Sequence, residues 1–462
     1  MKGIFLVGAG PAGLFAARQI ARAGFEAFLF NRDIKPGGLA EYGIYPLKEK
    51  MKGGLRKQFA QILEMPNVRY FGHIKVGSAY DVTIEELEGM RCAAIIFACG
   101  AQGTRKLGLV GEDAKGVYAA KDFVYHYNQL PPFASMDFST GRRIAIVGMG
   151  NVAIEIARWL LDDSPERRPE NVLVIARRGP LEIKFDEREL EFVERHLSRK
   201  ELSRELERVK ERCARCRQDV SPEKVFEHHF LLLKDAGFAS ISPRLSFRFL
   251  SSPTAIVPDS DGRIAKLVVA EDELVLKEDG STAAIPTRER TEIEVDTLIF
   301  AIGDKHDAGL GLPMGPEGYA TAPNPDRPGE PSFEVWDPDA RRVIPGQYVA
   351  GWARHASTGL VGIARHDGEV CAGKVIEFVS HAPECGTLGE QEILARLEAK
   401  GLRPVTKADL NLLAYAEARE AQTRQLNSFK FADNDAMLKA IAEERERMRT
   451  SRMVEQSLVP AA

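Results

Sequence analysis

Gly8, Gly10 and Gly13 stand in the spacing G-x-G-x-x-G, directly after the apolar run GIFLV and at the head of an Ala-rich stretch. In that setting each glycine has a task. The first permits a tight turn, the second lets the backbone approach a pyrophosphate, and the third lets the helix lie against the strand, with the diphosphate resting on the helix N terminus. Gly148, Gly150 and Ala153 repeat the arrangement as G-x-G-x-x-A after RRIAIV, a small side chain replacing the third glycine. The residues that end the following strands differ. EAFLF runs into Asn31, with Asp33 two places on, and an amide where an acid is usual offers a ribose hydroxyl an acceptor without charge. NVLVIA runs into Arg177 and Arg178. An acid there would grip a free 2′-hydroxyl and repel a 2′-phosphate, whereas two guanidinium groups bind that phosphate through charge-assisted hydrogen bonds. The second site is therefore expected to take NADP(H) and the first FAD, with hydride passing between nicotinamide and flavin.

These residues need strands and helices in a fixed order. GIFLVGAGPAGLFAARQIARAGFEAFLF reads as strand, Gly-rich turn, amphipathic helix and second strand, and the same order returns over 141–178. Each unit is closed later by an apolar strand running into glycine, AAIIFACGA at 93–101 and DTLIFAIGD at 296–304. The expected fold class is α/β, with two Rossmann-like dinucleotide-binding domains. The NADP(H) domain, 109–331, is inserted into a discontinuous FAD domain made of 1–108 and 332–462. The Pro-, Gly- and Asp-rich stretch 313–341 reads as the return linker. The charged stretch within 186–235 reads as a solvated helix laced with weak ion pairs, and helical segments follow Cys385 to form a C-terminal extension.

Composition narrows the function classes. Among 462 residues, 63 basic and 67 acidic side chains leave a net charge of −4, so nothing global draws the chain to nucleic acid or an anionic membrane. No run of about eighteen apolar residues marks a membrane span, and the first strand begins at Gly3, so a cytoplasmic protein is expected. Six cysteines are too sparse for a disulfide scaffold. Cys213 and Cys216 read as incidental residues of a charged helix, not as a redox pair. His228 and His229 lack zinc-ligand spacing, so no metal site is expected. His126 reads as a packed helix residue.

Beyond these readings, the chain resembles the adrenodoxin reductase type of ferredoxin–NADP reductase and, more distantly, the glutamate synthase small subunit. The likeness runs over nearly the whole chain and rests on GAGPAG at 8–13, GGLAEYGIYP at 37–46, GNVAIEIAR at 150–158, RRGPLEIKF at 177–185 and GWARHASTGLVG at 351–362. It implies FAD contacts from Ala12, Leu39, Val76, Trp352, Gly359, Leu360 and Val361. For NADP(H) it implies Met149, Gly150, Asn151, Val152, Arg177, Arg178 and Glu189. The implied activity is hydride transfer from NADPH to FAD, then release of single electrons to a ferredoxin-type iron–sulfur protein.

Three positions depart from the family pattern. The ribose-binding glutamate is Asn31, so Asn31→Glu is expected to tighten the flavin. The histidine of a proton route is Lys48, which would hold positive charge near the flavin while Glu155 keeps a water-linked carboxylate. The basic cluster that receives the iron–sulfur partner is reduced to residues such as Arg244 and Arg248. Two alternatives stay open: an NADPH-oxidising module of a larger complex, and a non-catalytic protein that senses FAD and NADP(H).

Overall fold

β1 (Gly3–Val7) is buried at every position, which follows from its place between two parallel neighbours with helices covering both faces. A computed structural model describes residues 2–164, 169–230, 244–316, 318–324, 331–356 and 361–457. In it β1 pairs in parallel with β2 (Glu26–Phe30), Gly3 opposite Glu26 through Val7 opposite Phe30. On its other side it pairs with β4 (Ala94–Phe97), while β3 (Val68–Phe71) pairs with β2. One face of this sheet carries an aromatic stack. Phe5 lies 5.3 Å from Phe28 and 5.2 Å from Phe30, and Phe30 lies 5.0 Å from Phe71, ring centre to ring centre. On the other face Ile4, Leu6, Ala27 and Leu29 share a core with α1 (Pro11–Arg22).

The chain divides into two units. The first is formed by Met1–Gly103, Tyr125–Ser135 and Gly303–Ala462, the second by Thr104–Val124 and Met136–Ile302. The return to the first unit thus falls at Gly303 and not near 332. Its cause lies inside the Pro-rich stretch, which was expected to be linker: Thr321–Pro323 and Pro331–Asp337 are strands. With Arg342–Val349 they extend the first sheet to seven strands beyond β4.

In the second unit five parallel strands stand in the order Val117–Ala119, Thr297–Phe300, Arg143–Val147, Asn171–Ile175 and Arg244–Arg248. A three-stranded antiparallel sheet, Ser251–Pro258, Ile264–Leu276 and Thr282–Glu294, adds to it. The charged stretch is not one solvated helix. It breaks into Glu187–Glu191, Arg199–Ala214 and Pro222–His228, and the middle helix buries Leu202, Leu206, Val209 and Cys213. The C-terminal extension is three helices, Glu390–Ala399, Lys407–Thr423 and Asn434–Ser457. Among the described residues no helix is long and apolar enough to cross a membrane.

Candidate functional site

Both glycine-rich turns have the geometry their spacing requires. Gly8 and Gly148 take φ of +107° and +132°, a region open to glycine. A Cβ on Gly8 would lie 2.5 Å from the carbonyl oxygen of Ala98, and one on Gly148 would lie 2.2 Å from that of Ala301. These carbonyls belong to the ends of the two closing strands. By contrast, a Cβ built on Gly10 or Gly150 meets nothing within 4 Å. Each second glycine therefore faces open space at a helix N terminus, the cradle a dinucleotide diphosphate needs.

In the first unit this cradle opens into a cavity that is partly open to solvent. Gly8, Gly10, Ala12 and Asn31 line it from the fingerprint side. Leu39, Val76, Trp352 and Val361 line it from later segments. Gly13 lies beneath, where a Cβ would be 2.0 Å from the carbonyl oxygen of Gly8. Gly359 and Leu360 fall outside the described residues. The turn that carries Trp352 is held from below by Asp367, which accepts the Gly351 N–H at 2.6 Å and pairs with Arg354.

Asn31 lines the cavity, but its amide is tied to the surrounding backbone. Its Oδ1 accepts the Ala9 N–H at 3.0 Å, and its Nδ2 donates to the carbonyls of Asp33 at 2.8 Å and Lys35 at 3.1 Å and to the Tyr70 hydroxyl at 3.1 Å. Its two N–H donors are shared among these three acceptors, so it serves as a knot that ties the glycine loop to β2 and β3.

Lys48 caps α3 (Glu49–Glu64), half-buried, and is not among the residues lining the cavity. One turn on, Lys52 is only 3 % exposed and donates to Asn128 Oδ1 at 2.7 Å. Burial pushes its ammonium down to about 8, and the neighbouring positive charge of Lys430 adds to the shift. Glu41, in α2 (Leu39–Tyr42), is buried beside it and pairs with Arg56 at 2.7 Å and Lys430 at 2.5 Å. Against burial, these two cations hold its carboxyl at about 2. Sequence reading overlooked this cluster. Its one signal is that Lys52 shares the helix face of Phe59, seven positions on.

In the second unit the Asn171–Ile175 strand delivers Arg177 and Arg178 past its end. Arg177 is exposed, with no hydrogen-bond or ion-pair partner among the described residues. Arg178 is half-buried, 3.8 Å from Glu182. Glu182 fixes the turn by accepting the Gly179 N–H at 3.2 Å and the hydroxyl of Thr282. Asn151 takes the Asp186 N–H on its Oδ1 at 2.7 Å, and the Met149 carbonyl accepts from Lys184, so the segment after the arginines is tied to the second fingerprint. Val152 is exposed, while Glu155 and Glu189 are half-buried on short helices.

The basic residues expected to await a partner are already paired. Arg248 is not a free basic group awaiting a partner, because it pairs with Glu271, which also takes Arg208 at 2.5 Å and Arg212 at 2.9 Å. Arg244 pairs with Glu201 at 2.8 Å. Cys213 is buried beneath the Arg178–Gly179 turn, where a Cβ on Gly179 would stand 3.2 Å from its sulfur. Burial, with Glu182 nearby, pushes its thiol up to about 12, which leaves it inert near neutral pH.

The profile of the pyridine nucleotide-disulphide oxidoreductase family matches residues 2–231. The chain is 30% identical to NADPH-ferredoxin reductase FprA of Mycobacterium leprae, over 84% of this chain and 86% of that one. It is 29% identical to the mitochondrial NADPH:adrenodoxin oxidoreductase of Salvelinus fontinalis, over 94% and 90% respectively. Among solved structures, Mycobacterium tuberculosis FprA in complex with NADPH superposes with a TM-score of 0.79 at 26% identity, covering 96% of this chain and 99% of that one.

Proposed function

Because the chain belongs to the NADPH-ferredoxin reductase family, we propose that it oxidises NADPH and passes the electrons through FAD to a ferredoxin-type iron–sulfur protein. One contrast carries this reading. The second fingerprint is followed by an exposed arginine and its neighbour, Arg177 and Arg178, with no acid at the strand end to repel a 2′-phosphate, and the first is followed by an uncharged amide, Asn31. FAD, when bound, converts a two-electron hydride donor into a source of single electrons. The chain's own groups bind and orient. Gly8 and Gly10 shape the diphosphate cradle, and Leu39, Val76, Trp352 and Val361 wall the cavity. Gly359 and Leu360 complete the flavin side of this assignment, and Gly148 to Val152 with Glu189 the NADP(H) side.

Lys48 holds positive charge close to the segment whose Leu39 and Tyr42 line the cavity, and Glu155 takes part in proton exchange through water. The setting is the cytoplasm, consistent with six free cysteines. The test is direct. The purified protein should be yellow, release FAD and not FMN on denaturation, and be bleached anaerobically by NADPH. Colourless protein that takes up no added FAD would overturn the assignment.

A further inference from the structure

With an amide tied to the glycine loop at Asn31, the adenosine half of FAD lacks the charged side-chain partner usual in the family, and the adjoining residue has the chemistry to replace it. Arg32 lines the cavity directly beyond β2. Its Nε and Nη2 donate to the two Asp33 carboxylate oxygens at 2.9 and 3.2 Å, and its Nη1 donates to Gln102 Oε1 at 2.6 Å. Gln102, just after β4, is itself anchored by donating to the Cys99 carbonyl at 2.6 Å. The guanidinium is therefore held from the ends of two strands that flank β1 and its glycine turn. Its side chain keeps 30% of its surface exposed. A guanidinium carries five N–H donors and stays charged. Asp33 and Gln102 take three of those donors and the Tyr125 hydroxyl also accepts from the guanidinium, so the fork is oriented from three sides with a donor left over.

We propose that Arg32, not Asn31, is the side chain that anchors the adenosine diphosphate half of FAD, donating to its oxygen acceptors while Asp33 and Gln102 hold the fork in place. This rests on the reading of the cavity as the FAD site. The division of labour is between neighbours: Asn31 shapes the glycine loop and Arg32 grips what lies on it. Charge-assisted bonds of this type are stronger than the neutral bond an amide would make.

The test follows FAD release from the holoprotein on dilution, read as recovery of flavin fluorescence, in the unmodified chain and in Arg32→Gln, Arg32→Lys and Asp33→Asn. Arg32→Gln is expected to release FAD at least about tenfold faster and Arg32→Lys by an intermediate factor. Asp33→Asn, which breaks the ion pair but leaves the guanidinium in place, retains FAD far better than Arg32→Gln. Release from Arg32→Gln at the unmodified rate overturns the proposal. Equal losses in Arg32→Gln and Asp33→Asn also overturn it, since the ion pair and not the guanidinium would then matter. If the unmodified chain itself bound no FAD, the failure would lie with the reading of the cavity.

Discussion

Asn31 accepts the backbone N–H of Ala9 through Oδ1 at 3.0 Å while its Nδ2 serves Asp33, Lys35 and Tyr70. A position that carries a ribose-binding acid in the family is here a structural knot. Restoring the acid is thus expected to harm the site. In Asn31→Glu two carbonyl acceptors would lose their donor and face a carboxylate, a cost of about 2–4 kcal/mol from lost and unsatisfied bonds. Thermal unfolding should show a lower midpoint, and FAD should leave faster. Tighter flavin with unchanged stability would instead restore the ribose role.

Lys52 sets a pH dependence of stability. Its folded-state value of about 8 lies below the ordinary 10.5, so between these values the unfolded chain binds more protons than the folded one. Stability should then rise as pH increases from about 8 to about 10.5, and the cost of burying the charge is fully present below pH 8. Lys52→Met should remove that rise and stabilise the protein near pH 7 by about 1–3 kcal/mol. Denaturant unfolding at pH 7 and pH 9.5 checks both.

Glu41 acts in the opposite direction. Its folded value of about 2 lies below the ordinary 4.5, so the stability it contributes is present above about pH 4.5 and is lost as pH falls toward 2. Lys430→Met, which leaves Arg56 as the remaining ion-pair partner named for it, should raise the acid-unfolding midpoint and loosen the α2 wall of the cavity. An unchanged acid transition would show that the pair is not stabilising.

The thiols below the coenzyme turn give a negative test. With Cys213 buried and its thiol at about 12, the double substitution Cys213→Ser, Cys216→Ser should leave turnover within about twofold. Its effect should be confined to a modest loss of stability from a polar group in an apolar site. Loss of turnover would call for dithiol chemistry.

Much of this site was legible from spacing. Gly8, Gly13, Gly148, Arg177 and Arg178 stand at fixed places in a strand–turn–helix spacing, so local sequence announces them, although the carbonyls that crowd Gly8 and Gly148 come from the distant closing strands. The hydrogen bonds of Asn31 were not legible because its partners include Tyr70, on a different strand, and only the fold brings them to its amide. Arg32 was passed over for the same reason, although an arginine beside a missing acid was a signal in plain view. Arg248 and Glu271 are separated by 23 residues and meet because the antiparallel sheet turns back on the fifth parallel strand. The strands within 313–341 were hidden by their Pro and Gly content, which an edge strand such as Thr321–Pro323, or the first position of a strand such as Pro331, tolerates.

The coenzyme arginines bear the central claim. Initial rates of ferredoxin-linked cytochrome c reduction, driven by NADPH or by NADH, should be compared for the unmodified protein and for Arg177→Ala, Arg178→Ala. The unmodified protein should favour NADPH in kcat/KM by at least about a hundredfold, and the double variant should lose about 3–6 kcal/mol of NADPH selectivity if the two losses add, with NADH activity little changed. Equal efficiencies with the two coenzymes in the unmodified protein, or no electron transfer to any ferredoxin from an NADPH-reduced flavin, would contradict the account.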